Sequence, residues 1–387
     1  MSVRVDTGVV SELAKYGGDT VTKCFNCGNC TAVCSLSKED TVFPRRYIRY
    51  TQLGLKGKML ESVDPWLCYY CGDCSDTCPR DAKPGKLMMA SRRWLISMYD
   101  WTGLSRLMYK REAWELGMLG IVALVVLGLF TLPSNFGFRL LANHPEARQT
   151  VALAYFAPKA IVHWGDIVMA VLLAGLLLSN AARMTYYAMR SSHPVPLSAY
   201  LIELKQLILH AVTQKRWRDC TTDNTKHWLR HVALVSGYGT MFVLVVVFLY
   251  WFQIEDASFH WTSLLGYYAT LVLLGSTLWI IRDRLEKKDQ IHKDSDLADW
   301  LFVGLLLLTS LTGILLHLVR LLDLPMPTYV MYLVHLMIAV PMLVVEVPFG
   351  KWAHMLYRPL AIYLSAVQAR ARQPHVSPVK AAPPLPA

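Results

Sequence analysis

Eight of the nine cysteines fall into two runs near the N-terminus, and no other residues in the chain announce their chemistry so directly. The first run is Cys24-Phe-Asn-Cys27-Gly-Asn-Cys30-Thr-Ala-Val-Cys34; the second is Cys68-Tyr-Tyr-Cys71-Gly-Asp-Cys74-Ser-Asp-Thr-Cys78-Pro79. Each reads C-x2-C-x2-C-x3-C, the spacing that binds 4Fe–4S cubanes in bacterial ferredoxins. Three closely spaced thiolates wrap three corners of a cube while the backbone amides between them turn toward its sulfides. The fourth cysteine of such a run reaches the other cluster. Cluster one is therefore assigned to Cys24, Cys27, Cys30 and Cys78, and cluster two to Cys68, Cys71, Cys74 and Cys34. Structural zinc needs only two C-x2-C pairs in a tetrahedron, so a third cysteine at the same spacing, twice over, points to iron–sulfur clusters. Ser35 replaces the trailing proline of the first run, which leaves the ligands untouched. Cys220 stands alone and reads as an ordinary reduced thiol.

Composition says what must carry these clusters. Of 387 residues, 54% are apolar and 17% charged, well under the ~25% charged share of soluble domains. Residues 1–112 are polar and Cys-rich, with no apolar run of spanning length. Six apolar stretches follow, at 114–134, 160–182, 229–252, 264–282, 299–322 and 328–350, each near the ~20 residues a spanning helix needs. The sequence thus predicts an all-α chain: an α-helical ferredoxin domain at 1–112, a six-helix transmembrane bundle at 113–360 and a disordered Pro/Ala tail at 361–387. Between the cysteine runs, VFPRRYIRYTQLGLKGKMLES has helical spacing at Ile48, Leu53, Leu55 and Leu60. The piece AYLIELKQLILHAV, between the second and third stretches, is amphipathic and suits a membrane interface.

The net charge of +11 fits loops on one side of a membrane better than nucleic-acid binding, since no basic domain with aromatic stacking residues accompanies it. Eight Lys and Arg lie from Arg183 to Arg230 and five from Arg282 to Lys293, whereas IEDASFH and DLPMP carry none. By the positive-inside rule both termini face the cytoplasm. The first twenty residues have no secretory h-region, so the cysteines are expected in the reducing cytoplasm of a cell whose inner membrane holds the bundle.

Ionisable residues at membrane depth need a reason. His231 opens the third stretch and His354 follows the sixth, both at the cytoplasmic level; His335, His317 and His163 lie toward the outer level. Two levels suit two b haems, each held by two imidazoles. His335 and His354 are nineteen residues apart, about 28 Å on a continuous helix at ~1.5 Å per residue. Arg230, Lys226 and Arg358 flank the inner level as candidate propionate partners, and Asp166, His317 and Glu346 are candidates for proton exchange at a quinone.

The segment from His335 through VPFGKWAHMLYRP is similar to the last helix of the respiratory nitrate reductase gamma-subunit family, in which a PF dipeptide precedes the second haem-binding histidine. RHVALVSG resembles that family's other haem helix, with His231 in the first ligand position; the second position falls near Met241, so the outer haem needs His163, or alternatively His317. More widely, FPRRYIRYTQLGL and WLCYYCGDCSDTCP resemble the C-type iron–sulfur subunit of heterodisulfide reductases, and the membrane part resembles the E-type cytochrome b subunit of the same systems. Such a fusion is similar to the third subunit of the quinone-interacting membrane-bound (Qmo) oxidoreductases. That resemblance implies two partners similar to the flavin-containing A-type subunit of heterodisulfide reductases, menaquinone as substrate, and adenylylsulfate (APS) reductase as the protein served in sulfur metabolism. A membrane-bound heterodisulfide reductase subunit, or a non-catalytic membrane anchor, is the alternative.

Overall fold

The computed structural model describes residues 4–37, 42–190, 194–215, 225–287 and 290–372, and no strand occurs among them. The two cysteine runs adopt the same backbone. Gly28 and Gly72 sit at φ +95° and +99°, where a side chain would clash with the following carbonyl, and each starts a one-turn helix, Asn29–Ala32 or Asp73–Asp76. Asn26 and Tyr70, two residues earlier, also have positive φ. Alternation of handedness around the central cysteine turns consecutive amides to one side, the arrangement that receives anions. The Asn29 amide donates to Thr77 O at 2.9 Å and ties the two turns together.

Helix α1 (Arg45–Gln52) covers these loops and buries Tyr47 and Ile48. Gly54, at φ +67°, ends it, so the segment between the runs forms two short helices, with Lys56–Glu61 as the second. Of the expected apolar face, Ile48 is buried but Leu53 is exposed; Tyr47 and Met59 fill the core instead. The break at Gly54 rotates the second half of the segment and explains the difference. Helix α2 (Pro84–Tyr99) runs through the middle of the domain, burying Leu87, Met88, Trp94 and Leu95, and α3 (Leu104–Lys110) leads to the bundle.

Among the described residues, six helices are long and apolar enough to cross a membrane. They are α4 (Glu112–Thr131), α5 (Lys159–Met189), α7 (Thr225–Val246), α8 (Ser263–Glu286), α9 (Leu297–Leu321) and a sixth that begins as α10 (Pro325–Pro341) and continues to Phe349; α6 (Leu197–Thr213) lies between α5 and α7. Leu124, Val171, Leu172 and Leu271 are each more than 60% exposed. An apolar belt of that kind fits a multi-pass membrane protein. At 31 residues, α5 is about 46 Å long and overshoots a ~30 Å hydrocarbon core. Its last turns, with Met184 and Ala188, pack into the cysteine domain beside Leu87 and Leu95.

The sixth span is not one continuous helix. After Pro341 the chain makes a wide π-type turn over Met342–Glu346, a short helix to Phe349, extended backbone at Gly350 and a tight turn at Lys351–Ala353. A new helix, α11 (His354–Arg372), then begins. His335 and His354 therefore sit on separate helices. Proline explains the break: it lacks the N–H that would continue the ladder and clashes with the preceding turn. Helix α11 also corrects the expected tail: residues 361–372 are helical, and Leu364 and Val367 are buried. Residues 373–387 and Cys220 lie outside the described residues.

Substituting Trp94, 1% exposed, by Ala should cost about 3–5 kcal/mol and lower the thermal midpoint of the detergent-solubilised chain. Leu124→Ala, at a position 64% exposed on the bundle surface, should leave that midpoint nearly unchanged. Equal falls would contradict this division between core and lipid-facing surface.

Candidate functional site

The thiols sort into two quartets. Cys24, Cys27, Cys30 and Cys78 line one cavity with Asn26, Gly28 and Arg45. Cys34 lies within electrostatic reach of Cys68 and Cys71, and Cys74 within reach of Cys68, Cys71 and Cys34 and, least strongly, of Cys30. The last cysteine of each run thus sits with the other run. Among the described residues no three His, Cys, Asp or Glu side chains converge on a single ion; the thiols ring a space rather than a point. Backbone amides already turn onto sulfur, Tyr70 N to Cys68 Sγ at 3.3 Å and Ala82 N to Cys78 Sγ at 3.4 Å. Burial pushes the Cys34 thiol up to about 11 and raises Cys30, Cys68 and Cys74 as well. Thiols so placed become thiolates only when a cation takes the proton's place, which the iron of a cluster does. The residues present fit two cubanes.

Each quartet has one buried cysteine, Cys30 or Cys68. Cys27 is exposed and neighbours Phe25, which is 60% exposed. Cys68 is buried and faces the bundle. The domain is seated on that end of the bundle by Trp66, whose ring lies 5.2 Å from that of Tyr357 on α11, and by Lys83 on Asp294 at 3.0 Å. Arg93 pairs with Asp296, the N-cap of α9, which shares a capping box with Asp299.

Two arginines, the buried Arg358 and the half-buried Arg92, lie within electrostatic reach of Cys68. Arg92 donates from Nε to Pro65 O at 2.7 Å and from Nη2 to Cys68 O, and lies 5.8 Å from the Trp66 ring. Arg358, one turn beyond His354 on α11, lies 4.1 Å from the Tyr69 ring. Burial, then the like charge of Arg358, lowers Arg92 to about 9, so it keeps its charge at neutral pH. On the far side of Arg358 are His354 and His231, which interact electrostatically with it and with each other.

The histidines differ in what their ring nitrogens offer. His354 Nδ1 donates to Lys351 O at 2.5 Å, which leaves the Nε2 lone pair to a ligand. His335 Nδ1 lies 3.0 Å from Thr312 Oγ1, and that hydroxyl donates to Leu308 O at 2.7 Å. The hydroxyl therefore accepts from Nδ1–H, and Nε2 is again the open nitrogen. Gly313 keeps that face bare: a Cβ there would lie 3.3 Å from His335 Cε1. His163 Nδ1 is buried with no hydrogen-bond partner among the described residues, its ring 4.6 Å from that of Tyr250. His317 is the contrary case. Arg320 Nη2 donates to its Nδ1 at 3.4 Å, and its Nε2 lies 2.6 Å from the Tyr267 hydroxyl. With both nitrogens engaged, His317 is a poor axial ligand and His163 the better fourth.

The charged candidates fall apart as a group. Arg230 is held by Asp283 at 2.5 Å, both side chains about nine-tenths buried, so its charge already has a partner. Lys226 is exposed; Arg358 alone of the three is buried beside His354. Asp166, half-buried near Tyr332, shares a helix face with His163. Glu346 is fully buried and faces Glu115 of α4, itself 2% exposed. Sequence reasoning missed Glu115, Arg92 and His210, which is buried on α6 within reach of His231. Glu115 and His210 sit in apolar helices, where a rule that asks why any ionisable group is there would have found them; nothing in sequence marks Arg92.

Known proteins resemble the chain in its cysteine-rich part. A 4Fe-4S dicluster domain matches residues 20–82. A protein of Archaeoglobus profundus, similar to the C subunit of heterodisulfide reductase, is 32% identical over 92 residues, 23% of this chain and 49% of that protein. The C subunit of the H(2):CoB-CoM heterodisulfide,ferredoxin reductase of Methanothermobacter marburgensis is 32% identical over 20% of this chain and 43% of its own. The C subunit of a ferredoxin:CoB-CoM heterodisulfide reductase of Methanosarcina acetivorans is 29% identical over 30% of this chain and 47% of its own. The homologues are thus iron–sulfur subunits of an oxidoreductase complex, and the chain spans about half the length of these curated relatives. No solved structure matches it.

Because Arg230 and Asp283 are buried together, Arg230→Gln should destabilise the chain by about 3–5 kcal/mol, the cost of an uncompensated buried charge. The double variant Arg230→Gln/Asp283→Asn should recover most of that loss in thermal melts. Additive losses would show that the pair is not coupled.

Proposed function

We propose that this chain is the membrane electron-transfer subunit of a respiratory oxidoreductase complex, joining the quinone pool to a cytoplasmic flavoprotein. One observation carries the reading: the buried Cys68 of the second quartet shares Arg358 as an electrostatic neighbour with His354 and His231 of the bundle. The relatives named as iron–sulfur subunits of heterodisulfide reductases support the cysteine half. When bound, two 4Fe–4S clusters and two b haems supply one-electron steps between a two-electron quinol and a two-electron flavin. The ligand sets proposed are Cys24, Cys27, Cys30 and Cys78 for cluster one and Cys68, Cys71, Cys74 and Cys34 for cluster two. His231 with His354, and His335 with His163, are proposed to hold the haems.

Each protein group then has a task. Thr312 and the Lys351 carbonyl fix the tautomers of His335 and His354. The exposed edge at Cys27 and Phe25, beside Arg45 and Arg49, presents the first quartet to a soluble partner. At the opposite end of the bundle, the half-buried Tyr267–His317–Arg320 chain is a ready proton path for a quinol, with Arg320 anchored on Ser258 O at 2.9 Å. Within this reading the complex is Qmo-like, set in the cytoplasmic membrane with both termini inside. It has two flavin-containing subunits, uses menaquinone and serves APS reductase. A second reading, a heterodisulfide reductase-type complex, is favoured by the names its relatives carry.

A dithionite-reduced minus oxidised spectrum of the purified chain, with iron and haem quantified, should show two b haems and about eight non-haem irons. His354→Ala should remove one haem and leave the irons. Zinc in place of iron, without haem bands, would leave only the membrane anchor. His317→Ala should abolish quinol oxidation while both haems persist; unchanged turnover would remove His317 from the quinone site.

A further inference from the structure

Arg358 is buried and the half-buried Arg92 lies within electrostatic reach of it, two like charges whose closeness costs free energy unless an anion lies beside them. Among the described residues, every hydrogen bond that Arg92 makes goes to a neutral acceptor: Pro65 O, Cys68 O and Met89 Sδ. Its electrostatic neighbours there are Arg358, the Cys68 thiol and Tyr69, with no carboxylate among them. Asp64, the buried carboxylate nearby in sequence, is paired with Arg46 at 2.9 Å. Arg358 in turn acts on Cys68 from one side and on His354 and His231 from the other. The first quartet is differently placed: the Arg45 side chain at its cavity is exposed and hydrogen-bonded to Asn26 Oδ1 at 2.9 Å. The two quartets thus differ in buried positive charge, on the side that faces the membrane.

We propose that Arg92 and Arg358 are positioning residues that hold the negative charge of the second cluster and raise its reduction potential above that of the first. A reduced cluster carries one more negative charge than an oxidised one. Fixed cations in a low-dielectric surround favour the reduced state more strongly than solvated ones. The second cluster is then the one on which an electron settles as it crosses between bundle and cysteine domain, whichever way it travels. Because Arg358 lies one helical turn from His354, the same guanidinium couples the occupancy of the two centres: an electron on either draws on the same positive charge. This inference rests on the function proposed above.

The test is an EPR-monitored redox titration of the full-length chain in detergent, with the second cluster's signal assigned by its alteration in Cys71→Ser. Arg358→Gln should shift that cluster's midpoint to lower potential and leave the first cluster's unchanged, and Arg358→Lys should restore it. Loss of the second cluster from Arg358→Gln but not from Arg358→Lys would equally support a role for the charge. An unmoved midpoint, equal shifts in both clusters, or loss of the second cluster from both variants would overturn the proposal. Should the unaltered chain hold no 4Fe–4S signals at all, it is the proposed function that fails.

Discussion

Everything downstream depends on how the cysteine domain is seated on the bundle. The seat is apolar at its centre, where Trp66 and Tyr99 pack against Tyr357 with ring centroids 5.2 and 5.5 Å apart. Ion pairs stand at its edge, Lys83 with Asp294 and Arg93 with Asp296. Partly exposed pairs of this kind are worth at most ~1 kcal/mol each, so packing supplies adhesion and the charges supply register. Register matters because tunnelling falls steeply with distance. A slip of one helical turn, about 5.4 Å, would separate Cys68 from Arg358 and His354.

Polar groups inside the bundle face one constraint. Without water, each must find a partner among its neighbours. Arg230 finds Asp283, and Arg320 finds the carbonyls of Asp256 and Ser258. The histidines divide by the same rule. His317 engages both nitrogens with protein partners, whereas His335 and His354 engage Nδ1 and keep Nε2. That distinction leaves Nε2 open on His335 and His354 and engaged on His317.

The broken sixth span shows how helix breakers redirect a chain. Pro341 and Gly350 bracket a wide turn that carries Glu346 to Glu115 and lets His354 start a fresh helix. A straight helix would keep the next segment on its own axis. The break frees α11 to turn under the cysteine domain, where α6 supports it through Arg370 on Glu203 at 2.6 Å.

Sequence by itself determined the 4Fe–4S dicluster motif and the six spans. Each rests on local spacing: C-x2-C-x2-C-x3-C sets three thiols around one site, and about twenty apolar residues span a bilayer whatever surrounds them. Tertiary structure alone decided what each charge meets. Arg230 and Arg358 read alike along the chain, yet one meets Asp283 and the other lies within electrostatic reach of Cys68. It also decided that both nitrogens of His317 are engaged, that Glu346 faces Glu115, and that Leu53 turns outward after Gly54. Partners separated by dozens to hundreds of residues leave no periodicity to read. Their pairing is set by which helix faces meet, and that follows only from packing the whole chain.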